Sequence, residues 1–198
     1  MYRFIETLRI EHRQLIRPEW HERRLNDTRY HFFDKVQDID LSRAIQIPQT
    51  LTEATYKCRV VYSSDIEAVT FEPYHARDIR SLQVVYDDKI DYAFKYYDRS
   101  AFNDYLNHSS SDDILIVKQG CVTDTSFSNI VFYDGKDWIT PSYYLLNGIQ
   151  RQYLLQQGII IERKIKLGDL SSFYCAKLIN AMLPFESSRA IDVALIYS

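Results

Sequence analysis

The sequence predicts a mixed protein, an α+β lobe followed by a larger lobe of α/β character. Three observations carry that expectation. A strand, one helix and three further strand-like runs up to Tyr86 make a small α+β lobe ending near Asp88. From Ile114 onward short apolar strands alternate with turn formers, and a helix follows Asn147-Gly148. All five glycines, at 120, 135, 148, 158 and 168, fall in this second half, where tight turns let backbone approach a ligand. The expected division is a lobe over 1–88 and a larger one over 89–198, enough chain for one sizeable core or two small subdomains sharing one.

Taken in order, Tyr2 to Ile10 alternates as a strand, with Phe4, Glu6, Leu8 and Ile10 on one face and Ile5, Thr7 and Arg9 on the other. Glu6 on that apolar face needs partners. Pro18 suits a first helical position, and Trp20 to about Phe33 reads as the helix, with Glu22 and Arg23 on a solvated face. Leu41 to Gln46 makes a short helix that Pro48 breaks, and Thr50 to Thr55 is linker-like. Tyr56 to Ser63, Glu67 to Tyr74 and Ser81 to Tyr86 are strands. Asp91 to Arg99 then sets Lys95 among Tyr92, Phe94 and Tyr96, an unusual place for an ammonium group.

Ala101 to Asn107 continues as a helix, and Ile114 to Lys118 as an apolar strand. Val122 to Ser128 is a polar segment holding Asp124. Asn129 to Tyr133 and Trp138 to Thr140 form a hairpin about Asp134-Gly135, closed by Pro141. The helix opened by Asn147-Gly148 puts Ile149, Tyr153 and Leu154 on one face, and its Gly-led start presents unpaired N–H groups that suit a phosphate. Gly158 ends it; Ile159 to Ile165 is a strand, Leu170 to Phe173 a turn, and Tyr174 to Met182 a further strand.

Composition excludes several classes of function. Apolar content of 46% with a net charge of only −3 describes an ordinary globular chain and gives no reason to expect nucleic-acid or membrane binding. Cys58, Cys121 and Cys175 are odd in number and far apart, which points to free thiols in a reducing cytoplasm. No signal-like N-terminus or long apolar run appears, so a cytoplasmic protein is expected. The five histidines lack metal-ligand spacing, so no metal site is expected. Neither a phosphate-binding P-loop nor a G-x-S-x-G nucleophile elbow is present. The sixteen tyrosines suit an aromatic-lined pocket or an interface, and equally a compositional habit.

The stretch from Val122 to Arg151 resembles the signature of the class IV aminotransferases, the fold-type IV enzymes that use pyridoxal 5′-phosphate. The matching pieces are Val122-Thr123-Asp124, Asn129-Ile130-Val131, Thr140-Pro141 and Gly148-Ile149-Gln150-Arg151, in the family's order and spacing. Ile5-Glu6-Thr7-Leu8-Arg9 is similar to the family's F-E-T-x-R strand, and His21-Glu22-Arg23-Arg24-Leu25 to its H-x-x-R-L element. Lys95-Tyr96-Tyr97-Asp98-Arg99 resembles the K-x-x-[ND]-R context of the aminodeoxychorismate lyase branch, and Asn180-Ala181 that branch's N-[AS]-x segment. Asp124 stands where the family usually has glutamate, and the family's stretch before the first strand has no counterpart.

The resemblance implies a D-amino acid aminotransferase-like fold, N-terminally shortened, with two lobes and the cofactor between them. It implies Lys95 as the Schiff-base lysine and proton carrier, and Asp124 on the pyridine nitrogen. Arg24 and the N–H groups at Ile149 and Gln150 would hold the phosphate, with Asn129, Gly148, Asn180 and Ala181 also at the cofactor. Arg9 and Arg99 are implied as substrate contacts. The activity implied is 4-amino-4-deoxychorismate cleavage to 4-aminobenzoate and pyruvate on the folate route. A branched-chain or D-amino acid transaminase and a degenerate cofactor-binding member are the alternatives. A homodimer is also implied.

Overall fold

The computed structural model describes residues 2–34 and 36–197. It forms two compact units, Met1–Ala76 with Phe94–Asp98, and Arg77–Ala93 with Arg99–Ser198.

The first unit is an antiparallel sheet with helices on one face. Its strands are β1 (Phe4–Glu11), β2 (Gln14–Leu15), β3 (Tyr56–Tyr62) and β4 (Ile66–Pro73), in the order β2-β1-β3-β4, with helices α1 (Pro18–Phe32) and α2 (Leu41–Ala44) between β2 and β3 in sequence. Pro18 opens α1 as its position predicts, since its missing N–H lies where no helical partner exists. Phe4, Leu8 and Ile10 of β1 pack with Leu25, Leu41, Cys58, Val60 and Tyr62 in one apolar core. Glu22, expected on a solvated face, instead accepts from the N–H of Leu41 at 2.9 Å. Phe94–Asp98 lies along the edge of β1: Ile5 N–H donates to the Lys95 carbonyl at 2.9 Å and Tyr97 N–H to the Arg3 carbonyl at 2.9 Å.

The second unit holds two sheets. One runs β13-β5-β6-β7, from β5 (Leu82–Tyr86), β6 (Asp113–Lys118), β7 (Cys121–Thr125) and β13 (Ile196–Tyr197). The other runs β10-β9-β8-β11-β12, from β8 (Asn129–Tyr133), β9 (Trp138–Pro141), β10 (Ile161–Arg163), β11 (Cys175–Ile179) and β12 (Ala190–Asp192). Helices α3 (Ser100–Asn107) and α4 (Ile149–Gln156) complete it. Leu82, Leu115, Val122, Ile130, Phe132, Ala176 and Leu178 belong to one core reached from both sheets. The alternation of β8 sends Val131 the other way, onto Leu154 of α4, Ile160 and Ile179.

Several elements differ from expectation. β5 pairs with β6 in parallel, so it belongs with the second unit and not with the strands that precede it. The polar segment at 122–125 is a fully buried strand, β7. The strand expected over 159–165 shortens to β10, because Ile159 N–H bonds back to Leu154 at the end of α4 and the Ile165 carbonyl accepts from Val122. β11 stops at Ile179, where the Asn180 side chain caps the N–H groups of Met182 and Leu183. Among the described residues no helix is long and apolar enough to cross a membrane.

Candidate active site

In the first unit the chemistry gathers on β1. Glu6 is fully buried, as its apolar-face position dictates, and its carboxylate collects three donors. His21 Nδ1 lies 2.6 Å from Oε2, Arg24 Nη2 donates to Oε2 at 2.6 Å, and Arg24 Nε donates to Oε1 at 2.7 Å. Burial alone pushes Glu6 up, but the Arg24 charge and the hydrogen bonds from Arg24 and His21 outweigh it and bring the group to about 2. Burial pushes His21 down, and the Arg24 and Lys95 charges act the same way against the pull of Glu6. A neutral His21 therefore carries its proton on Nδ1 and donates it to Glu6. Arg24 is the part of this cluster that reaches the surface: its side chain is 15% exposed, against 1% for His21. A pre-aimed guanidinium of this kind suits an anion.

Lys95 is half-buried on the short extended piece beside β1, flanked by Phe94 and Tyr96 in an aromatic cluster with Phe4 and Phe32. Tyr92, expected as its neighbour, packs edge-on against Phe102. Arg9 lies on β1 and donates to Glu11 at 3.0 Å.

In the second unit the connection from β7 to β8 is the hub. Asp124, 5% exposed, accepts on Oδ2 from the N–H groups of Leu145 at 2.8 Å and Leu146 at 2.9 Å, and on Oδ1 from Asn129 Nδ2 at 2.7 Å. Burial dominates and pushes its carboxyl up to about 6, even though all three donors and the Arg151 charge pull it down. Asn129 Nδ2 also donates to the Leu146 carbonyl at 2.9 Å, and a Cβ on Gly148 would overlap Asn129 Oδ1. That close approach is why the position is glycine; its φ of −66° would suit any residue. Two further predicted residues join the same connection: Asn180 Nδ2 donates to Ser128 Oγ at 2.8 Å, and the Arg99 guanidinium donates to the Ser126 carbonyl.

Gly148 is the N-cap of α4 and supplies no side-chain cap, so the N–H groups of Ile149 and Gln150 head the helix with the positive end of its dipole. Arg151 closes the structure behind them. It donates to Asn147 Oδ1 at 3.0 Å and the Pro141 carbonyl at 3.1 Å, pairs with Glu162, and lies over the Tyr144 ring. Sequence reasoning quoted Arg151 without a role and missed Ser128, His21 as a partner of Glu6, and the Leu145 and Leu146 amides. Only Glu6 signalled itself, as a carboxylate on an apolar strand face.

The first unit thus offers a half-buried amine and a guanidinium, groups that suit a carbonyl and an anion. The second unit offers a helix start rich in N–H groups, which suits a phosphate, and a buried carboxylate with three of roughly four lone-pair positions filled, which suits a protonated ring nitrogen. Among the described residues no group of three His, Cys, Asp or Glu side chains could hold a metal ion.

Residues 92–188 match the family model for amino-transferase class IV. An uncharacterized protein of Haemophilus influenzae is 37% identical over 185 residues, 92% of this chain and 98% of the relative. The crystal structure of a candidate 4-amino-4-deoxychorismate lyase from Haemophilus somnus is similar with a TM-score of 0.86 and 34% identity, over 93% of this chain and 98% of that one. A hypothetical aminotransferase from Mycobacterium tuberculosis, solved in its PLP-bound form, shares the fold at a TM-score of 0.78 and 20% identity, over 96% of this chain and 80% of that one.

Proposed function

Because this chain belongs to the class IV aminotransferase family, we propose that it is a pyridoxal 5′-phosphate-dependent lyase that splits 4-amino-4-deoxychorismate into 4-aminobenzoate and pyruvate. The observation that carries the choice of reaction is the full-length likeness to the Haemophilus somnus protein, joined to the Lys95-x-x-Asp98-Arg99 pattern.

In this reading the bound cofactor supplies an electron sink. Lys95 Nζ would hold it covalently, and as a free amine would take the proton from the ring carbon bearing the substrate's amino group and deliver it to the methylene carbon of the enolpyruvyl ether. The ring carbon–oxygen bond would break, so the ring becomes aromatic and pyruvate leaves with no co-substrate. Asp124 would keep a proton on the ring nitrogen. Arg24 and the N–H groups of Ile149 and Gln150 would hold the phosphate, with Asn129, Gly148 and the Asn180-Ala181 turn shaping that end. Arg9 and Arg99 supply cations for the substrate carboxylates. A cytoplasmic homodimer on the folate route completes the proposal.

A transaminase is the second reading, favoured by the family model itself and by the PLP-bound aminotransferase of the same fold. The decisive measurement is pyruvate release from enzymatically generated aminodeoxychorismate, with the cofactor present and no ketoacid added. Pyruvate and 4-aminobenzoate in equal amounts, absent with Lys95→Ala, are the expected result. No release from a protein that binds the cofactor covalently at Lys95 would transfer the assignment to transamination.

A further inference from the structure

The aspartate at 124, where the family usually has glutamate, is tied to the turn that leads into α4. Its Oδ2 accepts from two consecutive backbone N–H groups, Leu145 at 2.8 Å and Leu146 at 2.9 Å. Its Oδ1 takes the Asn129 amide at 2.7 Å, and that same nitrogen donates onward to the Leu146 carbonyl at 2.9 Å. Asn129 in turn abuts Gly148, the N-cap of α4. Residues 145, 146 and 148 are thus all fixed by one carboxylate and its amide partner. We infer that Asp124 is the latch of this turn, a positioning residue that sets where the first N–H groups of α4 point, and that the latch requires aspartate in preference to glutamate.

The reason is reach. One more methylene would carry the carboxylate roughly 1.5 Å farther out, into amides that already sit at hydrogen-bond distance. The longer side chain must then swing aside and release the two N–H groups, or push the turn and the helix start away. Restoring the family's own residue is therefore damaging in this chain. The inference rests on the proposed cofactor reading in one respect only: the phosphate is what the helix start would hold.

The test combines amide hydrogen exchange in the apoprotein with binding of pyridoxal phosphate and of pyridoxal, which lacks the phosphate. In the wild type, Leu145 and Leu146 are expected to be protected as strongly as the interior of α4. With Asp124→Glu their exchange rises, and affinity for pyridoxal phosphate falls, each by roughly tenfold, as expected for losing hydrogen bonds to a charged acceptor. Pyridoxal, which shares the ring nitrogen facing residue 124 but lacks the phosphate, loses less affinity than pyridoxal phosphate, a selectivity that general loosening of the fold would not produce. Free exchange of both amides in the wild type overturns the latch, whether or not the variant folds. Unchanged protection and binding in Asp124→Glu overturns it as well. Loss of protection in the variant, when even the wild type binds no pyridoxal phosphate, overturns the cofactor reading and leaves the latch standing.

Discussion

Glu6 keeps its charge in a site closed to water because Arg24 and His21 together supply three donors and a full positive charge. Its carboxyl is held at about 2, below the ordinary 4.5, so the stabilisation is complete above 4.5 and is lost as pH falls through 2. Glu6→Gln leaves the buried His21 and Arg24 without their anion and should cost about 3–5 kcal/mol at neutral pH. Denaturant unfolding checks this: the gap between variant and wild type should narrow steadily below pH 4.5. A gap that ignored pH would mean that packing, and not charge, is what Glu6 supplies. Asp124 runs the other way. Burial raises it from 3.8 to about 6, so the stability it lends the apoprotein is complete below 3.8 and falls as pH rises through 6. By linkage the fall amounts to about 3 kcal/mol at most, and Asp124→Asn should remove it from the difference curve.

At the scale of elements, the turn between β9 and α4 is held by side chains more than by its own backbone, and Gly148 is its tightest point. Gly148→Ala has no dihedral penalty, yet its Cβ would strike Asn129 Oδ1, an atom that cannot retreat while Asn129 Nδ2 is shared between Asp124 and Leu146. A loss of about 1–3 kcal/mol in thermal unfolding is expected from such overpacking, together with weaker cofactor binding. Wild-type behaviour in both measurements would show that Asn129 is not held as described. The same neighbourhood marks the limit of what the sequence discloses. Hairpin and helix starts announce themselves through Asp134-Gly135, Pro18 and Asn147-Gly148, because turn chemistry is local. β7 does not: Thr123, Asp124 and Thr125 read only as a polar segment, and tertiary partners such as the Ile116 carbonyl, 2.7 Å from Thr123 Oγ1, make that strand buriable. The motif residues proposed for the site stood out for a similar reason, as fixed spacings along the chain. Their partners, Glu6 with His21 or Asp124 with two amides, depend on folding across 15 and 21 positions, which no local pattern encodes.

Across the whole molecule the three cysteines are free thiols set in different surroundings. Cys58 is fully buried and pushed up to about 12 by that burial, and Cys121 is 3% exposed, whereas Cys175 is half-buried on β11. A thiol reagent should therefore modify only Cys175 in the native protein and all three after denaturation. Fast labelling of Cys58 would show that the first core opens readily.

The path of the chain has its own consequence. Residues 94–98 are counted with the first unit, yet both of their covalent neighbours, Ala93 and Arg99, belong to the second. The stretches a gene can exchange in one piece are thus not the bodies that fold. A crossover after Ala76 would hand the incoming partner a foreign β1 while Lys95 was still inherited from the old parent. Such a chimera keeps residues 94–98 in place only if the new first strand accepts them along its edge, as Ile5 and Arg3 do here, so a crossover at this point must preserve that seam.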